Sequence, residues 1–263
     1  MTFMAKARIG LSMLFCLGES FSSLCQRLEN TANSNVELVD DGWHSLDQVR
    51  VRRLNEIRKS RDLKFTLHAP FANINIATLS SEMRRFTVDQ LRKSISFARE
   101  LECAIIVFHP GLQTGISGFY PGLGWKLNIE SVRDLLKLTE DFGIKIAMEN
   151  CPMKYGYLVS SVDEFSRFLD QLGEDLGLAL DVGHSNIDGE THALIKRLGR
   201  NIVHIHAHDN DGKRDLHLGV GCGTVNWKRF AKSIKQLDFD GVIVVESYRH
   251  IMESISKLQE LFI

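Results

Sequence analysis

The chain has 263 residues, 44% of them apolar, with 32 Lys and Arg against 33 Asp and Glu and a formal net charge of −1. That make-up is ordinary for a soluble globular protein, and the balanced charge argues against a strong nonspecific attraction to nucleic acid or membrane, though a local basic patch is still allowed. Five scattered cysteines (Cys16, Cys25, Cys103, Cys151, Cys222) with no CxxC pair exclude a disulfide framework and fit a reducing cytosol, and no run approaches the ~20 apolar residues of a membrane-spanning helix.

At the N-terminus, Lys6 and Arg8 flank an apolar run, Ile9 to Leu17, that faintly resembles a signal peptide. Gly10 and Ser12 interrupt it and no small-x-small cleavage site follows, so Arg8–Leu14 is read as a first strand, in a cytoplasmic protein. Further short, nearly continuous apolar runs follow at Val36–Val39, Lys64–Leu67, Ala104–Phe108, Ile144–Met148, Gly177–Leu180, Ile202–Ile205 and Gly241–Val245. Strands covered on both faces have this character. Helical stripes lie between them: Val88, Leu91, Ile95 and Ala98; Ile129, Val132 and Leu136; Phe165, Phe168, Leu169 and Leu172; Ile251, Ile255 and Leu258. Ser161 with Glu164 predicts a capping box at the start of the third stripe.

Eight strands alternating with helices, with no break in composition, predict an α/β fold: a single (β/α)8 TIM barrel spanning residues 1–263 as one domain. An open doubly wound sheet is the structural alternative, but no GxGxxG follows the first strand. Two long loops, Pro110–Gly124 with Phe119 and Tyr120, and Cys151–Ser160 with Tyr155 and Tyr157, follow strands and belong on the rim where barrel active sites sit. Their glycines suit lids, and ordinary surface loops are the plain alternative.

The polar residues cluster by position. Strand three ends at His68, four at His109, five at Glu149, six at Asp181 with His184 just beyond, seven at His206 and eight at Glu246. One such histidine is commonly a hydrogen-bonded structural residue, and one such glutamate commonly pairs with a lysine or arginine. Six strand ends of this kind in one ring would repel or stay unsatisfied without a cation to neutralise them. We therefore expect a divalent metal at Glu149, Asp181, His206 and Glu246. His206 is chosen over His204 and His208 because it lies nearest the strand end; those two are expected to support the site or face solvent. Asp215 and His217, two residues apart in a loop, suit a further ion or simply solvent. Trp43 and His44 either line the pocket or pack beneath it. Nothing near Cys222 marks it as a nucleophile.

LHAPFANINIA, VFHPG, MEN, LDVGHSN, HIHAHDN, DLHLGVGCGTVNW and VVES together resemble the xylose-isomerase-like TIM-barrel superfamily over essentially the whole chain. That superfamily holds sugar-phosphate isomerases and epimerases and the endonuclease IV-type AP endonucleases (family 2). The resemblance implies a core metal site of Glu149, Asp181, His206 and Glu246, with Glu149 and Glu246 as acid/base pair and His184 orienting a hydroxyl or holding a second metal. The endonuclease branch implies His68, His109, His184, Asp215 and His217 as further ligands of a three-zinc cluster. The chain departs from that branch in CPMKYGY after strand five, in HAHDNDG on strand seven, and in Phe71 where a tyrosine is usual.

Two functions follow as expectations. The first is a metal-dependent sugar or sugar-phosphate isomerase or epimerase moving a proton beside a carbonyl through an enediolate, a dehydratase sharing its first steps. Phe71, Phe119, Tyr120 and Tyr155 would cover its small sugar-type substrate. The second is a zinc phosphodiesterase acting at abasic sites, the one case with DNA as partner. The rim loops hold few basic residues for DNA (Lys126, Lys154, Lys213, Arg214). The ligand set suits zinc, manganese or cobalt, one to three ions. No membrane partner is expected, and oligomeric state is left open, a homo-oligomer included.

Overall fold

The computed structural model describes residues 7–262, the side chain of residue 141 excepted; Lys6, used in the signal-peptide comparison, lies outside the described residues. Eight parallel strands close into a barrel in sequence order: β1 (Arg8–Ser12), β2 (Asn35–Val39), β3 (Lys64–His68), β4 (Ile105–Phe108), β5 (Lys145–Glu149), β6 (Gly177–Asp181), β7 (Ile202–Ala207) and β8 (Val242–Val245). β8 pairs back onto β1, with Gly10 opposite Val244, which excludes the open sheet. The expected first strand is two residues too long. Ser12 Oγ accepts the Leu14 amide and turns the chain into a 3-10 turn at Met13–Cys16.

The helices are α1 (Phe21–Asn30), α2 (Gln48–Arg61), α3 (Ser81–Glu100), α4 (Leu123–Phe142), α5 (Val162–Leu172), α6 (Val182–Ile187), α7 (Thr191–Leu198), α8 (Trp227–Lys235) and α9 (Ile251–Phe262). Alternation along each strand splits the core in two. Ile9, Val36, Phe65, Leu67, Ile106, Phe108, Ile146, Met148, Leu178, Leu180, Ile205 and Ile243 point outward into one apolar layer beneath the helices. Burying each such side chain contributes roughly 1.5–3 kcal/mol. The inward side differs from the bulky branched filling usual in this architecture. Val107, Ala147 and Ala179 form a small separate apolar cluster. Above and beside it sit buried polar groups: Ser12, Glu37, Thr66, His68, His204 and His206. Small residues on β5 and β6, Ala147 and Ala179, leave the space those groups occupy.

The capping box holds: Ser161 Oγ accepts the Glu164 amide at 3.2 Å, and Glu164 Oε2 accepts the Ser161 amide at 3.0 Å. Gly173, at φ 69°, ends α5 in the left-handed region that glycine adopts without strain. The two long rim loops are not independent. Leu112 and Tyr157 form an antiparallel bridge, and Gln113 and Leu158 donate to the carbonyls of Gly156 and Gly111. The bridge joins them into one rim unit.

Candidate metal centre

The barrel closure carries the strand-end side chains into one buried cluster. Glu149, Asp181, His206 and Glu246 are at most 5% exposed. His206 Nδ1 lies 3.6 Å from Glu149 Oε2, 3.6 Å from Glu246 Oε2 and 3.9 Å from Asp181 Oδ2. These separations are too long for hydrogen bonds, and Nδ1 has no hydrogen-bond partner. A bare buried imidazole nitrogen facing three carboxylates fits a shared divalent cation, which removes both the orphaned polar atom and the like-charge crowding.

Two more ligand-capable groups adjoin it. His68 Nε2 and His109 Nε2 each lie 3.2 Å from Glu149 Oε2. His184 Nε2 and His217 Nε2 lie 3.3 and 3.4 Å from Asp215 Oδ2, and His208 Nε2 is 3.8 Å from Asp215 Oδ1. Each set has its ligand atoms within 4.8 Å of one another. The backbone fixes these rings from behind: His68 Nδ1 meets the Ala69 carbonyl at 2.8 Å, His184 Nδ1 the Asn150 carbonyl at 3.0 Å, and His217 Nδ1 the Glu246 carbonyl at 2.7 Å. His109 Nδ1 is 3.2 Å from the Tyr157 hydroxyl. In every case the other nitrogen is left for the cluster, the arrangement expected of metal-ligating histidines.

His208 is not in solvent. It is fully buried, with Nε2 3.0 Å from Asp181 Oδ1. Gly183 makes room: a Cβ there would meet His208 Cε1 at 2.0 Å. Asp181 also caps α6, its Oδ1 accepting the His184 amide at 2.6 Å. His204 is fully buried as well, 2.8 Å from Glu37 Oε2. Glu37, on β2, was not among the expected site residues. A glutamate inside VELV reads as one alternate of an ordinary strand, and only barrel closure reveals its partners on β7.

The two proposed acid/base carboxyls differ. For Glu149, burial alone would raise the pKa, but His206, His109 and His184 hold it well below the usual range. For Glu246, burial wins over His206 and His217, and its carboxyl is raised. The Asp215 carboxyl is lowered, burial being outweighed by His184 and His217.

A cleft of about 270 Å³ opens over the cluster, walled by Leu14, Phe71, Pro152, Tyr155, Tyr157 and Tyr248. Larger hollows beside α9, of about 480 and 600 Å³, hold no converging imidazoles and carboxylates. Phe71 and Tyr155 thus lie where expected. Phe119 and Tyr120 do not: the 3-10 turn at Gly115–Phe119 carries them off the cleft wall, with Phe119 81% exposed. Trp43 is exposed and His44 buried, and neither lines the cleft. Tyr248, stacked on His217 with centroids 4.5 Å apart, is a wall residue that sequence reasoning missed. The five cysteines are free. Among the described residues no helix is long and apolar enough to cross a membrane.

The sequence matches the family described as xylose isomerase-like TIM barrel over residues 30–261. It is 30% identical to an uncharacterised protein of Methanocaldococcus jannaschii, covering 97% of this chain and 88% of that one. It is 27% identical to a probable endonuclease 4 of Staphylococcus aureus, over 70% of this chain and 66% of that one. The solved structure of a D-tagatose 3-epimerase-like protein superposes with a TM-score of 0.91 at 29% identity, covering 97% of this chain and 96% of the other.

Proposed function

Because this chain belongs to the xylose isomerase-like TIM-barrel family, we propose that it is a divalent-metal-dependent isomerase or epimerase acting on a sugar or sugar-phosphate. The likeness to a D-tagatose 3-epimerase-like protein over nearly the full length supports this reading. The observation that carries it is the carboxyl pair. Glu149 and Glu246 flank the same imidazole, His206, each with an oxygen 3.6 Å from its Nδ1, and both line the cleft. Two carboxylates that converge on one buried site from the ends of β5 and β8 are suited to acid/base work on a substrate bound between them.

A divalent cation held by Glu149, Asp181, His206 and Glu246 would supply an electrophile for the substrate carbonyl. Glu149 takes the proton from the neighbouring carbon, and Glu246 returns one to the other face. His184 presents its Nε2 edge to a substrate hydroxyl. Phe71 and Tyr155 close the cleft against water, and its small volume suits a single sugar unit. Incubating the metal-loaded protein with ketoses and their phosphates in deuterated water should put deuterium on carbon, and Glu246→Gln should slow that exchange by about 10²–10⁴-fold. No exchange across the panel would rule the reading out.

The second reading, a zinc phosphodiesterase of the endonuclease IV type, is favoured by the two additional ligand groups at His68–His109–Glu149 and His184–Asp215–His217. Three adjacent ions suit the attacking and leaving oxygens of a phosphate ester. Against it stand the sparse rim cations: Arg214 is paired with Asp211, and Lys154 donates to the Lys213 carbonyl. Under this reading the protein holds three zincs per chain and nicks a duplex at an abasic site.

A further inference from the structure

Glu37 is a fully buried carboxylate, and no lysine or arginine pairs with it among the described ion pairs. An ion-sized charge in such a place needs strong compensation. It finds two imidazoles from β7: His204 Nε2 lies 2.8 Å from Oε2 as a charge contact, and His206 Nε2 makes a hydrogen bond to Oε2 at 3.3 Å. The Thr66 hydroxyl donates to it at 3.4 Å. The second contact matters because of what the other end of that ring does. His206 Nδ1 is unpartnered and faces Glu149, Asp181 and Glu246.

We propose that Glu37 is a positioning residue: it accepts the Nε2–H of His206 and so fixes that ring with a bare Nδ1 toward the metal cluster. A neutral imidazole carries one proton on either nitrogen, and the hydrogen bond made by one nitrogen sets the state of the other. A carboxylate only accepts, so the proton stays on Nε2 and the lone pair stays on Nδ1. Four other cluster histidines, His68, His109, His184 and His217, are held from behind by backbone carbonyls or a hydroxyl, whereas His206 leans on the Glu37 carboxylate, which its neighbour His204 also faces. The inference rests on the metal-site reading above and extends it one residue deeper into the barrel.

The test is Glu37→Gln, close in shape but able to donate as well as accept. Metal affinity is measured by chelator competition with cobalt(II), whose visible spectrum reports ligand geometry. Loss of an outer-shell partner weakens binding by roughly 10–100-fold. The expected result is a loss of that size with an altered cobalt spectrum and an unchanged ion count at saturation. Equal affinity and an identical spectrum in a folded variant would overturn the inference. One ion fewer per chain at saturation would also overturn it, since Glu37 would then be a ligand. If the variant does not fold, nitrogen-15 shifts of His206 in the zinc-loaded wild type decide, the inference requiring the proton on Nε2 and the metal on Nδ1. Wild type that binds no cobalt at all would instead sink the metal-site reading.

Discussion

Asp181 shows how many demands one side chain meets. Its Oδ1 caps α6 through the His184 amide, its carboxylate receives the buried His208 ring, and its Oδ2 faces His206. The arrangement depends on the bare backbone of Gly183, against which the His208 ring lies. Gly183→Ala should therefore act at a distance. The methyl would overlap the ring, push it off Asp181 and leave that carboxylate unsupported on one side. Overpacking of this kind costs typically about 1–3 kcal/mol. A denaturant titration should show that loss, and chelator competition should show weakened metal binding in the same variant. Stability lost without any change in metal affinity would mean that His208 supports only the fold.

Glu37 and His208 also mark where residue-level reading ran out. His68, His109, Glu149, Asp181, His184, His206 and Glu246 were legible because each ends or follows an apolar strand, where a polar group is conspicuous. Glu37 sits inside its strand, where every second residue may be polar for a plain reason. His208 stands one residue beyond β7, a position that reads as loop until the ring is seen packed on Asp181.

At the scale of elements, legibility followed the density of the apolar stripe. α3, α4, α5 and α9 showed regular stripes in the sequence. α2 escaped because only Val51, Leu54 and Ile57 are buried within a helix otherwise full of arginine and lysine. α6, capped by the site residue Asp181, is six residues long and too short to show a stripe. The sequence places both rim loops after strands, but their pairing is invisible in it, because a bridge between Leu112 and Tyr157 depends on the barrel bringing the ends of β4 and β5 together. Caps transferred best, being local. Ser161→Ala removes one half of the box that starts α5 and should cost about 1 kcal/mol. In a protein of this size that lowers Tm by about 2–4 °C. The same variant should keep the wild-type metal content, since α5 contributes no ligand. A fall in bound metal would show that α5 governs the rim more directly than its packing indicates.

For the molecule as a whole, the interior polar cluster makes stability and metal content respond to pH in opposite senses. Burial alone would depress His217, yet the Asp215 contact and the Glu246 and Asp215 charges raise it from 6.5 to about 9. His184 and His206 are raised as well, burial being outweighed for His184 chiefly by Asp181 and Asp215 and for His206 chiefly by Glu246 and Glu37. A group raised on folding contributes stability fully below its unfolded value and loses it as pH climbs through the folded one. The metal-free protein should therefore weaken steadily between about pH 6.5 and 9. Metal binding must expel those same protons, so affinity grows over the same window. Thermal melts of chelator-treated and metal-loaded samples, taken side by side from pH 6 to 9, should diverge as pH rises. Two parallel curves would mean that the ion does not compete with these protons, and the cluster of imidazoles and carboxylates would then be holding itself together by charge alone.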